Sequence, residues 1–125
     1  MDDSPRLTSE EQAIDSLITI AVEAWRFKRV FERLLAKADA GETKRYQNQF
    51  DWFMRQVEGS LAKAGLKVVI VEGQAFDPGV AVTPLNIEDF DESEDLIIDQ
   101  MLEPIIMGPE GLIKTGTATL RSADK

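Results

Sequence analysis

Residues 65–78 read Gly65-Leu66-Lys67-Val68-Val69-Ile70-Val71-Glu72-Gly73-Gln74-Ala75-Phe76-Asp77-Pro78, and the fold turns on this stretch. Upstream of it, apolar residues recur every three or four positions, the spacing of one helix face. From Leu66 to Val71 the pattern becomes a β-branched, largely apolar run that reads as a strand buried on at least one face. Gly65 stands where the period changes. A glycine just past a helix terminus closes it in the left-handed conformation, where a side chain would cost about 1 kcal/mol. Asp77-Pro78-Gly79 then supplies a turn. The chain is therefore expected to be helical before residue 65 and β-structured after it, an α+β protein.

Working towards the N-terminus, residues 1–7 read as a polar tail and residues 8–65 as a helical hairpin. Thr8 with Glu11, and Ser9 with Gln12, both fit a capping box. The first helix is expected to run to about Lys37, roughly 40 Å at 1.5 Å per residue. Placed at 100° steps, Ile14, Ile18, Ala21 and Trp25 form one stripe, and Leu17, Ile20, Ala24, Phe31 and Leu35 form a second beside it. Phe27 and Leu34 widen the apolar arc to about 200°, twice what a surface helix needs. One partner helix cannot cover that arc. Either the β part of the chain covers the excess, or two hairpins associate as an antiparallel four-helix bundle. In the second reading Leu17, Ile20, Ala24, Phe27, Phe31 and Leu34 form a homodimer interface. Gly41 is expected to stop the first helix and Thr43 to cap the second, which runs to about Ala64 with Tyr46, Phe50, Phe53, Val57 and Leu61 on a narrow stripe. Trp52 falls off that stripe. Its ring either lies under the stems of Arg45, Gln56 and Lys63 or serves as a contact anchor.

Working towards the C-terminus, residues 66–121 read as a small, mostly antiparallel β domain, with 122–125 as a tail. Val80–Thr83 is a short strand whose far end Pro84 confines to a sheet edge. Leu96–Ile98 and Met101-Leu102 resume the apolar pattern. Gly108-Pro109-Glu110-Gly111 reads as the turn of a hairpin joining Ile105–Met107 to Leu112-Ile113, and the threonine-rich 115–120 as a last strand.

Composition excludes several functions. The chain has no cysteine and no histidine, so thiol catalysis, disulfides, Ser-His-Asp triads and His or Cys metal sites are ruled out. With 14 basic against 23 acidic residues the net charge is −9. That disfavours nucleic acid and anionic membrane surfaces and favours partners with basic patches. The acidic N-terminus is unlike a signal peptide, and no apolar run approaches a membrane span, so a cytoplasmic location is expected.

The acidic run Glu88–Asp95 carries Asp89, Asp91 and Ser93 at the spacing of the first calcium ligands of an EF-hand loop. The match ends there: the sixth position is Glu94 rather than glycine and the twelfth is Gln100 rather than glutamate. The run reads as a solvated loop tethered by Phe90. No glycine arrangement forms a phosphate-binding turn ahead of a helix. The carboxylates mark no cleft, so neither an enzyme nor a cofactor is expected.

Long helix, second helix, stopping glycine, buried strand and then Phe76-Asp77-Pro78: this order resembles the C-terminal two-thirds of GrpE-type nucleotide exchange factors, co-chaperones that open the nucleotide cleft of DnaK-type chaperones. The likeness runs from about Ile14 to Leu120. Leu17–Asp39 is similar to the end of the family's long helix and Thr43–Gly65 to its second bundle helix. Leu66–Val71 with Phe76-Asp77-Pro78 is similar to the first β-domain strand and its Phe/Leu-Asp-Pro signature. Met101–Leu120 is similar to the closing hairpin, with Gly111 at the turn. The resemblance implies a β domain that binds the ATPase domain of a DnaK-like chaperone and favours its open cleft. Phe76, Asp77 and Pro78 would set the turn and, with Val80, Val82, Ile105, Met107 and Trp52, meet the partner, while Gly65 fixes the angle of the β domain to the bundle. It departs from the family in three places. Only about a dozen residues precede the bundle-like part, where the family has a long stalk. Ala81-Val82-Thr83 stands where the family has a His-Glu/Gln-Ala stretch, and Pro104-Ile105 replaces its Gly-Tyr. The alternative is a dimeric adaptor of GrpE-like fold without exchange activity.

Overall fold

The computed structural model describes residues 8–123; the expected N-terminal tail and the last two residues lie outside them. The described chain forms two units that meet between Ala64 and Gly65. In the first, helix α1 (Ser9–Leu35) and helix α2 (Ala40–Lys63) form a hairpin. Of the two possible caps for α1 the chain uses Thr8, whose hydroxyl accepts the Glu11 amide at 3.0 Å. Such a cap contributes about 1 kcal/mol.

The turn between the helices differs from the expectation. Asp39, not Thr43, caps α2, its carboxylate accepting the Glu42 amide at 3.0 Å. A carboxylate is the stronger acceptor and complements the positive end of the helix dipole. Gly41 lies inside the first turn of α2 rather than ending α1. Thr43 instead donates its hydroxyl to the Leu35 carbonyl at 3.0 Å, a second bond to an end-of-helix acceptor that also takes the Ala38 amide at 3.1 Å. The hairpin is pinned by phenylalanines. Phe50 of α2 lies 5.0 Å from Phe31 and 6.3 Å from Phe27 of α1, and 6.0 Å from Phe53.

The second unit holds two small sheets. Strands β1 (Lys67–Val69), β4 (Ile105–Gly108) and β5 (Gly111–Lys114) form one, wholly antiparallel, in the order β1-β4-β5. Strands β2 (Val82–Pro84), β3 (Leu96–Glu103) and β6 (Gly116–Ser122) form the other, in the order β2-β6-β3, with β2 parallel to β6 and β3 antiparallel to it. The fold is thus α+β, a helical hairpin followed by a small and mostly antiparallel β part. Pro84 does lie on an edge strand, where its missing N–H costs no ladder bond. The last strand alternates cleanly: Gly116, Ala118 and Leu120 are buried and the residues between them are half-buried. Ile98, Met101, Pro104 and Ile106 are fully buried with them. Gly116 is small for a reason. A Cβ there would lie 2.7 Å from the Met101 methyl and 2.8 Å from the Glu103 carbonyl.

Gly65 ends the helical unit as its place in the sequence requires, with φ +76°, and a Cβ would lie 2.8 Å from Pro109 Cγ in the β4–β5 turn. Gly111, with φ +123°, sits at the far side of that same turn.

Candidate functional site

Phe76-Asp77-Pro78 is held by strand pairing from a distant part of the chain. The Gly73 amide donates to Ile98 at 2.8 Å, the Ile98 amide to Gln74 at 2.9 Å and the Phe76 amide to Leu96 at 2.9 Å. The segment leaving β1 therefore runs along the outer edge of β3 and sets Phe76 beside Leu96 and Ile97. The Asp77 carboxylate then accepts the Gly79 amide at 2.7 Å, and the Asp77 carbonyl accepts the Val80 amide at 3.0 Å. This closes the turn that the Asp-Pro-Gly sequence encodes.

The opposite wall is the acidic loop. A short 3₁₀ turn, Ile87–Asp89, leads to half-buried Phe90, and the Asp91 amide donates to the Glu94 carboxylate at 3.3 Å. The Ala123 amide closes the loop's far end on the Asp95 carbonyl at 2.9 Å. Between the walls lies a groove of about 910 Å³, with Phe76, Pro78, Phe90, Leu96 and Ile97 among the residues that line it.

The other expected site residues do not gather there. Val80 and Met107 are half-buried. Val82 and Ile105 are buried, at 6% and 4% exposure, so neither offers a face to a partner. Val82 faces in where its neighbour Thr83 faces out, and in β4 neither face is free, since Ile106 beside Ile105 is buried as well. Trp52 is 59% exposed, so the arginine, glutamine and lysine stems do not cover it.

On α1, Ile18, Ala21, Val22 and Trp25 are buried, whereas Ile20, Phe27 and Leu34, seven residues apart, are 61%, 53% and 63% exposed. Leu17 and Phe31 between them are half-buried, and Ala24 is already covered. Together these six alternate at four- and three-residue steps, the a/d seam of a coiled coil. A second apolar groove adjoins the seam, lined by Phe27, Phe31, Tyr46, Phe50 and Phe53.

Phe90, Leu96 and Ile97 are the groove residues that sequence reasoning missed. The signal was the unbroken acidity around them: between Lys67 and Lys114 the chain has no basic residue and 11 acidic ones. Among the described residues, no group of three or more carboxylates is placed to hold a metal ion, and no helix is long and apolar enough to cross a membrane.

Compared with known proteins, the chain is 32% identical over 72 residues to Protein GrpE of Halalkalibacterium halodurans. The match takes in 57% of this chain and 37% of that protein, so it extends over little more than a third of the relative's length. It supports a partial, distant relationship to GrpE. No protein-family model matches the chain. No solved structure matches it.

Proposed function

We propose that this chain is a GrpE-like co-chaperone that promotes nucleotide exchange on a DnaK-like chaperone by binding its ATPase domain. The 72-residue likeness to Protein GrpE carries the reading. The hairpin, the glycine with φ +76° at its end and the small β unit beyond it are the parts the role requires. No covalent chemistry is involved. The chain binds the open-cleft conformer more tightly than the closed one and, by linkage, lowers the chaperone's affinity for nucleotide. Phe76, Asp77, Pro78, Val80 and Met107 on the β unit and Trp52 on α2 are the proposed contact residues, working in the cytoplasm.

The protein acts as a homodimer in this reading. An exposed seam of Ile20, Phe27 and Leu34 is an apolar stripe that a second copy of α1 would cover, with half-buried Leu17 and Phe31 beside it; Ala24, already buried, adds no surface. The test of function is release of a fluorescent nucleotide from a purified DnaK-like protein. Faster release on adding the chain is the expected result, and unchanged release from every DnaK-like protein of the same organism refutes the exchange role.

A second reading has its own observation. Ala81-Val82-Thr83 carries no charge, and Val82 is buried. A dimeric adaptor that keeps the fold but has lost exchange activity would bind its partner equally in ADP and ATP, whereas an exchange factor prefers the ADP-bound or nucleotide-free chaperone.

A further inference from the structure

The net charge of the chain is not shared between its halves. Residues 1–64 carry 10 basic and 11 acidic side chains, a net charge of −1, and residues 65–125 carry 4 and 12, a net charge of −8. Within the second half the acids converge on one feature. Asp77, Glu88, Asp91, Glu92, Glu94 and Asp95 all line the groove whose floor includes Phe76, Phe90, Leu96 and Ile97, and among the described residues no Lys or Arg lines it. We propose that this groove is a docking site for a segment of a partner protein in which lysine or arginine side chains flank an aliphatic or aromatic one.

Each part of that chemistry follows from the walls. The floor offers aromatic and branched aliphatic surface, and removing such surface from water favours a complex. A purely apolar occupant would bring carboxylates together around a drying groove with nothing to offset them, and an anionic one would be repelled. Cationic groups on the occupant, snorkelling from an apolar centre to the rim, satisfy both. A single small cation fits less well, because among the described residues no three carboxylates converge on one point. The volume of about 910 Å³ admits more than one side chain; ligand clefts span roughly 300–1,000 Å³.

The groove is also prepared in advance. One wall is tied to β3 through the Phe76 amide, and the other is closed by Asp91, Glu94 and Asp95 in hydrogen bonds of their own. Little order has to be imposed on binding, so less of the interaction is lost to entropy. The proposal stands whether or not the chain drives nucleotide exchange.

The test uses the full chain, isotope-labelled, and a short synthetic peptide alternating lysine with leucine and phenylalanine. Saturable chemical-shift changes are expected at Phe76, Phe90 and Ile97. A lysine–serine peptide should bind about tenfold more weakly or worse, and so should the lysine–leucine peptide to the exposed Glu88→Lys, Glu92→Lys double variant, whose own spectrum reports that it is folded. Four results overturn the proposal. One is no binding, and another is equal binding of the lysine–serine peptide, which would make the surface merely acidic. The third is displacement of the peptide from the floor by spermidine alone, which would make the ligand a small polyamine. The last is movement of the same floor signals when the protein is concentrated without peptide, which would make the occupant a second copy of this chain.

Discussion

The side chain of Asn86 treats Leu120 as a neighbouring strand would. Its amide oxygen accepts the Leu120 N–H at 2.8 Å, and its amide nitrogen donates to the Leu120 carbonyl at 3.0 Å. One residue earlier, the Leu85 amide bonds the Ala118 carbonyl at 2.9 Å. The parallel pairing of β2 with β6 thus continues past Pro84 through a backbone donor and then through a side chain. Beyond it begins the 3₁₀ turn that carries Phe90 to the groove.

Replacing Asn86 with Ala is expected to destabilise the β unit by about 1–3 kcal/mol, since both Leu120 groups lose their partner. Urea unfolding measures the loss. Faster amide exchange at Leu120, together with altered Phe90 signals, would show that the clamp also sets the groove wall.

Phe50 should be the costliest single truncation in the hairpin. It is buried among Phe27, Phe31 and Phe53, and Phe50→Ala is expected to cost about 3–5 kcal/mol. Phe53, 43% exposed, should cost less than half as much. Thermal melts followed by helical circular dichroism compare the two directly.

Ile20→Glu with Leu34→Glu places two charges in the exposed seam of α1, away from the phenylalanines that pin the hairpin. If the proposed homodimer forms there, sedimentation should show weakening by at least ~100-fold, about 2.8 kcal/mol. The helical content of the monomer should survive, because both side chains are more than half exposed. An unchanged sedimentation coefficient would move the interface elsewhere.

Gly65→Ala meets two obstacles at once, a backbone at φ +76° and Pro109 Cγ at 2.8 Å. A cost of about 1–3 kcal/mol is expected, read by chemical denaturation. Gly65→Asp is expected to add a bend at the junction and so weaken partner binding. A folded Gly65→Asp protein that binds a DnaK-like chaperone normally would remove the proposed role of this glycine.

Much of this architecture was legible in the residues because its signals are local. The shift from helical to strand spacing at Gly65, the Asp77-Pro78-Gly79 turn and the glycines bracketing the β4–β5 turn each act within a few positions. The turn between the helices misled because Gly41 and Thr43 are sound signals that a stronger one, the Asp39 carboxylate two residues upstream of Gly41, outcompetes. Non-local pairing was beyond reach. Nothing near Val82 announces a parallel partner at Gly116, or near Asn86 a clamp on Leu120, 34 residues away. The groove was half visible: the acidity around Phe90 is plain in the sequence, but bringing Phe76 across from it depends on the edge of β3.

The passage from β3 to β4 has a mechanical consequence. Only the fully buried Pro104 separates Glu103, on the rim of one sheet, from Ile105, in the middle strand of the other. Tension on either sheet is delivered straight into its neighbour, with no slack loop to absorb it. The two sheets should therefore melt as a single cooperative block, and a molecule that tightens the groove beside Phe76 and Leu96 should also slow amide exchange in the β1-β4-β5 ladder without touching it.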